Sequence, residues 1–377
     1  MAGARLQCLK KGFCHICFYY KPKLLHIKKA MSIHSAFDFL IQWHLTERCN
    51  LRCTHCYQND NRSIELTTAE IRDTIDEISQ TMASWKKSYN LNFSPSVNIT
   101  GGEPFLRADL FDILDEFHSI GFDIYVLTNG ILIDKKKAAR LLKAGVKGVQ
   151  VSIEGPEAIH DSIRGADSFS ASCKGVKHLL DAGLQVTLNT TLSKLNADYL
   201  IDTIKIASEQ GVHRLGFSRL VPSGRGKKLI REMLKTETVM NLYDNIFKAD
   251  ARSGMEIVTG DPVASQFRNK PGNSDFGDIA LGGCAAGISG MTIMPDGTML
   301  PCRRMPIPLG NVKRNSFREV WAVSDVLNDL RDRSKYKGKC GSCNKWANCR
   351  GCRAIAYAYS KAGGRGDHLA PDPQCFI

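Results

Sequence analysis

No run of about 18 to 20 apolar residues occurs in the 377-residue chain, so no membrane-spanning helix is predicted. The N-terminal region also lacks the unbroken apolar stretch and small-residue cleavage site of a secretory signal. Acidic residues are missing from the first 30 positions, where Arg5, Lys10, Lys11, Lys21, Lys23, Lys28 and Lys29 lie. Seven of the thirteen excess positive charges are therefore terminal, and aromatic residues are not interleaved with them as a base-stacking platform requires. Nucleic-acid and membrane partners are both disfavoured, and a cytoplasmic location is expected. Residues 1–36 read as a basic N-terminal extension, expected to be disordered, with Cys14 and Cys17 as thiols without a metal role. Repeats of 20 to 50 residues are absent, which excludes solenoids and propellers.

From residue 37 to about 220, β-type and helix-type runs alternate. The strand candidates are 37–45, 96–100, 123–128, 148–153, 184–191 and 212–218. Between them lie amphipathic stretches at 67–82, 110–120, 134–144, 171–182 and 198–210, the first opened by a capping-box pattern at Thr67 and Glu70. Regular alternation implies parallel strands with right-handed crossovers. The expected fold class is α/β, a partial (β/α)6 TIM-like barrel over residues 37–226. A helical bridge and linker follow at 227–283, and a cysteine-rich module with a hairpin at "GMTIMPDGTMLPC" occupies 284–377. Gly-rich segments and the first cysteine cluster follow strand candidates, where barrels carry their active sites.

Cysteine is the abundant residue, at fourteen, and it is clustered. Three thiols lie in "CNLRCTHCY", at Cys49, Cys53 and Cys56, one too few for a tetrahedral zinc site. A [4Fe-4S] cluster has four iron corners, and three thiolates leave one corner open to a small molecule.

Cys49-x3-Cys53-x2-Cys56 followed by Tyr57 resembles the signature of the radical S-adenosylmethionine (SAM) enzymes. The resemblance implies that the open iron chelates SAM, and that one electron from the cluster releases a 5'-deoxyadenosyl radical. It also implies a low-potential electron donor such as ferredoxin or flavodoxin. Gly101-Gly102-Glu103-Pro104 matches the family's GGEP segment, expected to contact the methionine ammonium. Ser152 in "VSIEGP" and Arg164 in "HDSIRG" match positions that contact the SAM carboxylate or ribose, and Asn189 is a further candidate for the ribose. An Arg suits a carboxylate because its planar fork donates two parallel hydrogen bonds. His55, between two ligands, reads as a neighbour of the cluster rather than a ligand.

Cys340-x2-Cys343-x5-Cys349-x2-Cys352 fits a zinc tetrahedron by spacing alone, so a non-catalytic zinc-binding module is an alternative of another class. Together with Cys284, Cys302 and Cys375, the set resembles the SPASM domain, which carries one or two auxiliary iron-sulfur clusters. The resemblance assigns Cys340, Cys343, Cys349 and Cys375 to a distal auxiliary cluster, and Cys284, Cys302 and Cys352 to a proximal one. An additional cysteine present in some members is missing from "CAAGISGM". Cys173 fits neither pattern and reads as a buried apolar residue.

Arg219 and Arg225, in "RLVPSGRG" after the sixth strand candidate, are the candidate substrate-binding cations. The leading expectation is modification of a peptide or protein side chain. The alternative is modification of a tetrapyrrole side chain of the heme or heme d1 type, whose propionates are anionic.

Overall fold

The computed structural model describes residues 37–59, 63–89, 93–250, 255–267 and 279–377. The expected extension at 1–36, with Cys14 and Cys17, lies outside the described residues. A single ten-stranded sheet runs through the molecule in the order β10-β9-β8-β1-β2-β3-β4-β5-β6-β7. Its strands are β1 (Phe37–His44), β2 (Phe93–Thr100), β3 (Asp123–Thr128), β4 (Val146–Ser152), β5 (Gln185–Leu192), β6 (Arg214–Arg219), β7 (Glu256–Thr259), β8 (Gly290–Ile293), β9 (Thr298–Leu300) and β10 (Gly310–Asn311). Strands β1 to β8 pair in parallel, and β9 pairs antiparallel with both β8 and β10. The sheet curves as an unclosed barrel, with β10 and β7 at its edges.

The period of two along each strand divides the chemistry between two faces. Val149 and Val151, Val186 and Leu188, and Leu215 and Phe217 are buried in the apolar core with the outer helices. The alternate residues Gln150, Ser152, Asn189, Thr191 and Ser218 line an inner cavity. Registration sets Ser152 beside Asn189, a polar pair across β4 and β5, and Asn189 beside Gly216 on β6.

Helix α1 (Thr68–Tyr89) covers the sheet with Ile71, Ile75, Ile78, Met82 and Trp85, one stripe at helical spacing. Its predicted capping box forms: Thr67 N donates to Glu70 Oε2 (2.8 Å) and Glu70 N donates to Thr67 Oγ1 (3.2 Å). The helices α2 (Leu110–Ser119), α3 (Lys135–Lys143), α4 (Glu157–Arg164), α5 (Ser168–Asp181) and α6 (Leu200–Glu209) follow between strands. Helix α4 was not expected; eight residues entered through "GPE" give too short a periodic signal to stand out.

The stretch expected as a helical bridge also supplies a strand. Helix α7 (Thr236–Asp250) leads into β7, which adds to β6. The parallel run thus has a seventh member before the C-terminal module begins. The predicted hairpin forms as β8 and β9, closed by Met294 N to Thr298 O (2.8 Å) and a turn at Gly297. It does not stand apart, because β8 pairs with β1 from Leu40 through Trp43. Phe39, Trp85, Phe317 and Trp321 lock this junction with edge-on ring contacts of 4.9 to 6.0 Å between Phe39 and its three neighbours.

Candidate active site and auxiliary sites

The loop after β1 carries the three cysteines into the barrel mouth, where all three line the same cavity of about 130 Å³. The GGEP segment after β2 fixes this loop from behind. Gly102 N donates to Thr46 O (2.7 Å) and Glu103 N donates to Arg48 O (2.8 Å). A Cβ on Gly101 would lie 2.6 Å from Thr46 O, and one on Gly102 would lie 2.3 Å from Arg48 O, so neither position admits a side chain. Gly101 and Gly102 line the cavity; Glu103 and Pro104 do not.

The Glu103 side chain is buried behind the wall. Its carboxylate accepts from Phe105 N (3.2 Å), Thr128 Oγ1 (2.9 Å) and Asn129 N (2.9 Å), tying the second loop to the third. Burial pushes its pKa up to about 7 against the lowering effect of those donors. Pro104 starts a short 3-10 turn, with its missing N–H at the position where no partner is needed. Asn129 then reaches back to the cysteine loop, donating through Nδ2 to Asn50 Oδ1 (2.8 Å).

Arg164 lines the cavity but is engaged by Glu154, the residue after Ile153. Its Nε and Nη2 both donate to Glu154 Oε1, at 2.9 and 2.5 Å, and Nη1 sits 3.9 Å from Cys53 Sγ. His55 Nε2 lies 3.2 Å from the same oxygen, and Thr191 N donates to Glu154 Oε2 (2.8 Å). Burial alone would raise the Glu154 carboxyl, yet Arg164 and His55 overcome it and hold the pKa well below the usual carboxylate range. The sequence reading missed Glu154. Its only signal is an acid directly after an apolar strand.

Tyr57 stacks under Arg303, whose guanidinium carbon is 5.3 Å from the ring centroid. Gln58 Nε2 donates to His44 Nδ1 (3.2 Å), which leaves His44 Nε2 to carry its proton toward the Tyr57 hydroxyl (3.5 Å). Burial, aided by Arg303, lowers the His44 pKa to about 3, so this imidazole is neutral. Arg303 and Arg304 follow Cys302 in the C-terminal module and reach the barrel cavity. Sequence reasoning missed both, since their distance from the first cluster gives no local signal.

The two candidate substrate cations diverge. Arg225 lines the cavity and donates through Nε to Cys53 O (3.3 Å), while its backbone N–H donates to Gln58 O (3.1 Å). Gly224, at φ +57°, would place a Cβ 2.2 Å from Tyr57 O, so this segment is pressed against the cysteine loop. Arg219 does not reach the cavity. It is fully buried, donating to both oxygens of Asp261 (2.6 and 2.9 Å), both oxygens of Asp372 (3.1 and 2.8 Å) and Gln374 Oε1 (3.0 Å). Two carboxylates saturate its fork, which makes it a clamp between β6 and the chain's last residues.

The donor set suits an iron-sulfur cluster. Burial raises the Cys49 thiol to about 11, with the neighbouring Glu103, Cys53 and Cys56 adding to the rise. Neighbouring thiolates repel one another, and a cation shared among them offsets that repulsion.

Cys340, Cys343, Cys349 and Cys375 line a second cavity, of about 480 Å³, with Gln266 and Lys339 at its wall. Backbone N–H groups already point at these sulfurs: Lys345 N to Cys343 Sγ (3.3 Å) and Gly351 N to Cys349 Sγ (3.3 Å). Gln266 Nε2 donates to Cys349 Sγ (3.5 Å) and Cys375 Sγ (3.7 Å). Burial pushes the Cys352 thiol up to about 12, with Arg304 opposing the rise and Cys284 adding to it. Cys340, Cys343, Cys349 and Cys375 thus share one cavity. Cys173 is half-buried, and burial raises it to about 11.

Residues 43–207 match the Radical SAM superfamily, and residues 284–353 match the SPASM iron-sulfur cluster-binding domain. The chain is 31% identical to an AdoMet-dependent heme synthase of Methanosarcina barkeri, across 89% of this chain and 95% of that protein. It belongs to the radical SAM superfamily. A mycofactocin maturase of Mycobacterium ulcerans is 30% identical over 89% of this chain and 87% of its own length. Streptococcus suis SuiB bound to S-adenosylmethionine shares the fold, with a TM-score of 0.71, 17% identity and coverage of 96% and 89%. This radical SAM protein is accordingly an enzyme whose cofactors are a [4Fe-4S] cluster, SAM and the iron-sulfur content of its SPASM domain. Among the described residues, no helix is long and apolar enough to cross a membrane.

Proposed function

We propose that the enzyme cleaves SAM reductively at the Cys49, Cys53 and Cys56 site and takes a hydrogen atom from a carboxylate-bearing substrate, with tetrapyrrole propionates as the substrate class. The observation that carries this reading is the cavity's charge. Arg225, Arg303 and Arg304 line it, Arg164 is spent on Glu154, and among the described residues no Asp or Glu contributes to the lining. Arg304 Nε is buried with no hydrogen-bond partner, a donor that an anion would satisfy.

The bound cluster and SAM supply the carbon radical; the chain's residues bind, orient and exclude water. Gly101 and Gly102 let the SAM methionine approach the backbone. The polar pair of Ser152 and Asn189 faces its ribose or carboxylate, and Glu154 holds the Arg164 fork beside Cys53. Tyr57, fixed by neutral His44 and Arg303, closes the wall next to Cys56. The near-full-length likeness to a heme synthase supports a propionate-bearing substrate. A peptide or protein side chain, the leading expectation from sequence, is the second reading, supported by the likeness to a mycofactocin maturase.

Anaerobic reconstitution with iron and sulfide tests the first part, and about 10 to 12 irons per chain are expected for three clusters. A colourless, zinc-containing protein that leaves SAM intact would overturn it in favour of a binding module. For the substrate, a propionate-bearing iron porphyrin is expected to couple 5'-deoxyadenosine formation to its own loss of hydrogen. Arg304→Gln is expected to raise its KM about tenfold, the loss of one charged hydrogen bond. If porphyrin leaves SAM cleavage uncoupled while a peptide couples it, the second reading replaces the first.

A further inference from the structure

Each of the four sulfurs around the distal cavity faces an N–H group. Lys345 N donates to Cys343 Sγ (3.3 Å), Gly351 N to Cys349 Sγ (3.3 Å) and the buried Arg353, through Nη2, to Cys340 Sγ (3.5 Å). These three donors sit one or two residues after a cysteine of the tight run and come with it. The sulfur of Cys375 is served from elsewhere. Gln266 Nε2 donates to it (3.7 Å) and also to Cys349 Sγ (3.5 Å). Gln266 belongs to the turn Pro262–Phe267 that follows β7, ahead of the C-terminal module.

That turn is fixed at both ends. Asp261, just before it, is gripped by Arg219 (2.6 and 2.9 Å), and Ala264 N donates to Asp261 O (3.1 Å). Phe267 packs against Phe247 and Phe376, with ring centroids 5.6 and 5.3 Å away, and Phe376 is the neighbour of Cys375. A held backbone thus delivers the Gln266 amide to the sulfurs. Its Oε1 is buried with no hydrogen-bond partner among the described residues, so half of the amide is unsatisfied and the sulfurs are what the other half binds. The reverse placement would set that oxygen, an acceptor, against two thiolates.

We propose that Gln266 is a redox-tuning donor, whose amide raises the reduction potential of the cluster held by Cys340, Cys343, Cys349 and Cys375. The inference rests on those four cysteines holding an iron-sulfur cluster, and not on which substrate fills the barrel. One-electron reduction adds a negative charge that is shared onto the ligand sulfurs. An N–H aimed at two of them stabilises the reduced form more than the oxidised form, and hydrogen bonds to sulfur are among the levers that set cluster potentials. Being neutral, the amide does this without a titration of its own.

The test is a redox titration of the reconstituted full chain, followed by EPR with dithionite as reductant. Cys340→Ala/Cys343→Ala identifies the distal signal as the one it removes. In Gln266→Leu and Gln266→Met, the reduced-to-oxidised ratio of that signal at a fixed potential is expected to fall about three- to tenfold, a tenfold fall being about 59 mV for a one-electron couple. The other signals are expected to keep their midpoints, and iron content to stay at the parent level. The control Ser265→Ala lies on the same turn, where its hydroxyl donates to Pro262 O (2.6 Å), and is expected to move no midpoint. An unmoved distal midpoint in both Gln266 variants overturns the proposal. An equal shift in the control or in the other clusters also overturns it, because the effect would then be a general loosening. Loss of the distal iron in both Gln266 variants does the same, since the amide would then be a structural support. If the cysteine variant removes no signal, the cluster assignment falls and the proposal with it, a result distinct from a distal signal that is present and unmoved.

Discussion

Gly102 shows how little room the barrel mouth leaves. The Cβ of an alanine there would sit 2.3 Å from Arg48 O and 2.7 Å from Glu47 O, both backbone atoms that cannot swing aside. Gly102→Ala is expected to displace the loop that carries Cys49 and to cost about 1 to 3 kcal/mol. Urea denaturation and iron content of the reconstituted protein check this, with fewer irons bound as the specific sign. Glu103, the next residue, gives a pH dependence. Its folded pKa, near 7, lies above the unfolded value near 4.5, so the folded state holds a proton that the unfolded state has lost between those limits. Stability contributed by this group is present below about pH 4.5 and declines as pH rises toward 7, by up to about 1.4 kcal/mol per pH unit. Glu103→Gln is expected to flatten that part of the curve in denaturation measured from pH 5 to 7.

Single residues were legible where the chemistry is local and hidden where it is brought from afar. The three cysteines announce themselves by spacing, and the glycines of GGEP by composition. Glu154, His44, Arg303 and Arg304 do not, because each is tied to the site by a neighbour from another part of the chain. Arg219 was visible for the opposite reason: its place beside Pro222 and Gly224 suggested a mouth, but its side chain turns back to Asp261 and Asp372.

At the scale of elements, that clamp joins β6 to the final residues, with Tyr243 of α7 also donating to Asp261 (2.7 Å). Arg219→Met removes one charge and leaves two buried carboxylates without their partner, a change expected to cost about 3 to 5 kcal/mol. Thermal unfolding measures the loss, and protease cleavage near the C-terminus is expected to precede global unfolding. Asp372 also accepts from Cys352 N (2.8 Å), so the same variant is expected to lower iron retention in the auxiliary sites. Six parallel strands and five helices were readable because their periodicity changes sharply at each boundary. Strand β7, with four residues, carries no such contrast and follows a helix that dominates the pattern.

The whole molecule is organised by a sheet that the division of the sequence into barrel and cysteine-rich module does not reveal. The hairpin of the C-terminal module pairs with β1, and Phe317 and Trp321 fill the space beside Phe39 and Trp85. Residues 37–283 expressed alone would bare the free edge of β1 together with that aromatic pocket. They are expected to aggregate, whereas the full chain stays dispersed; light scattering after identical purification distinguishes the two. No periodicity within either half predicts which strand a distant hairpin joins.

The position of β1 has a further bearing on how the protein is born. It is the first of the described strands to be made, yet one of its two neighbours, β8, is translated only after most of the polypeptide has left the ribosome. The loop holding Cys49, Cys53 and Cys56 hangs from the end of this half-paired strand until then. A nascent chain stalled before residue 290 would therefore carry these thiols on a strand with one edge still unpaired.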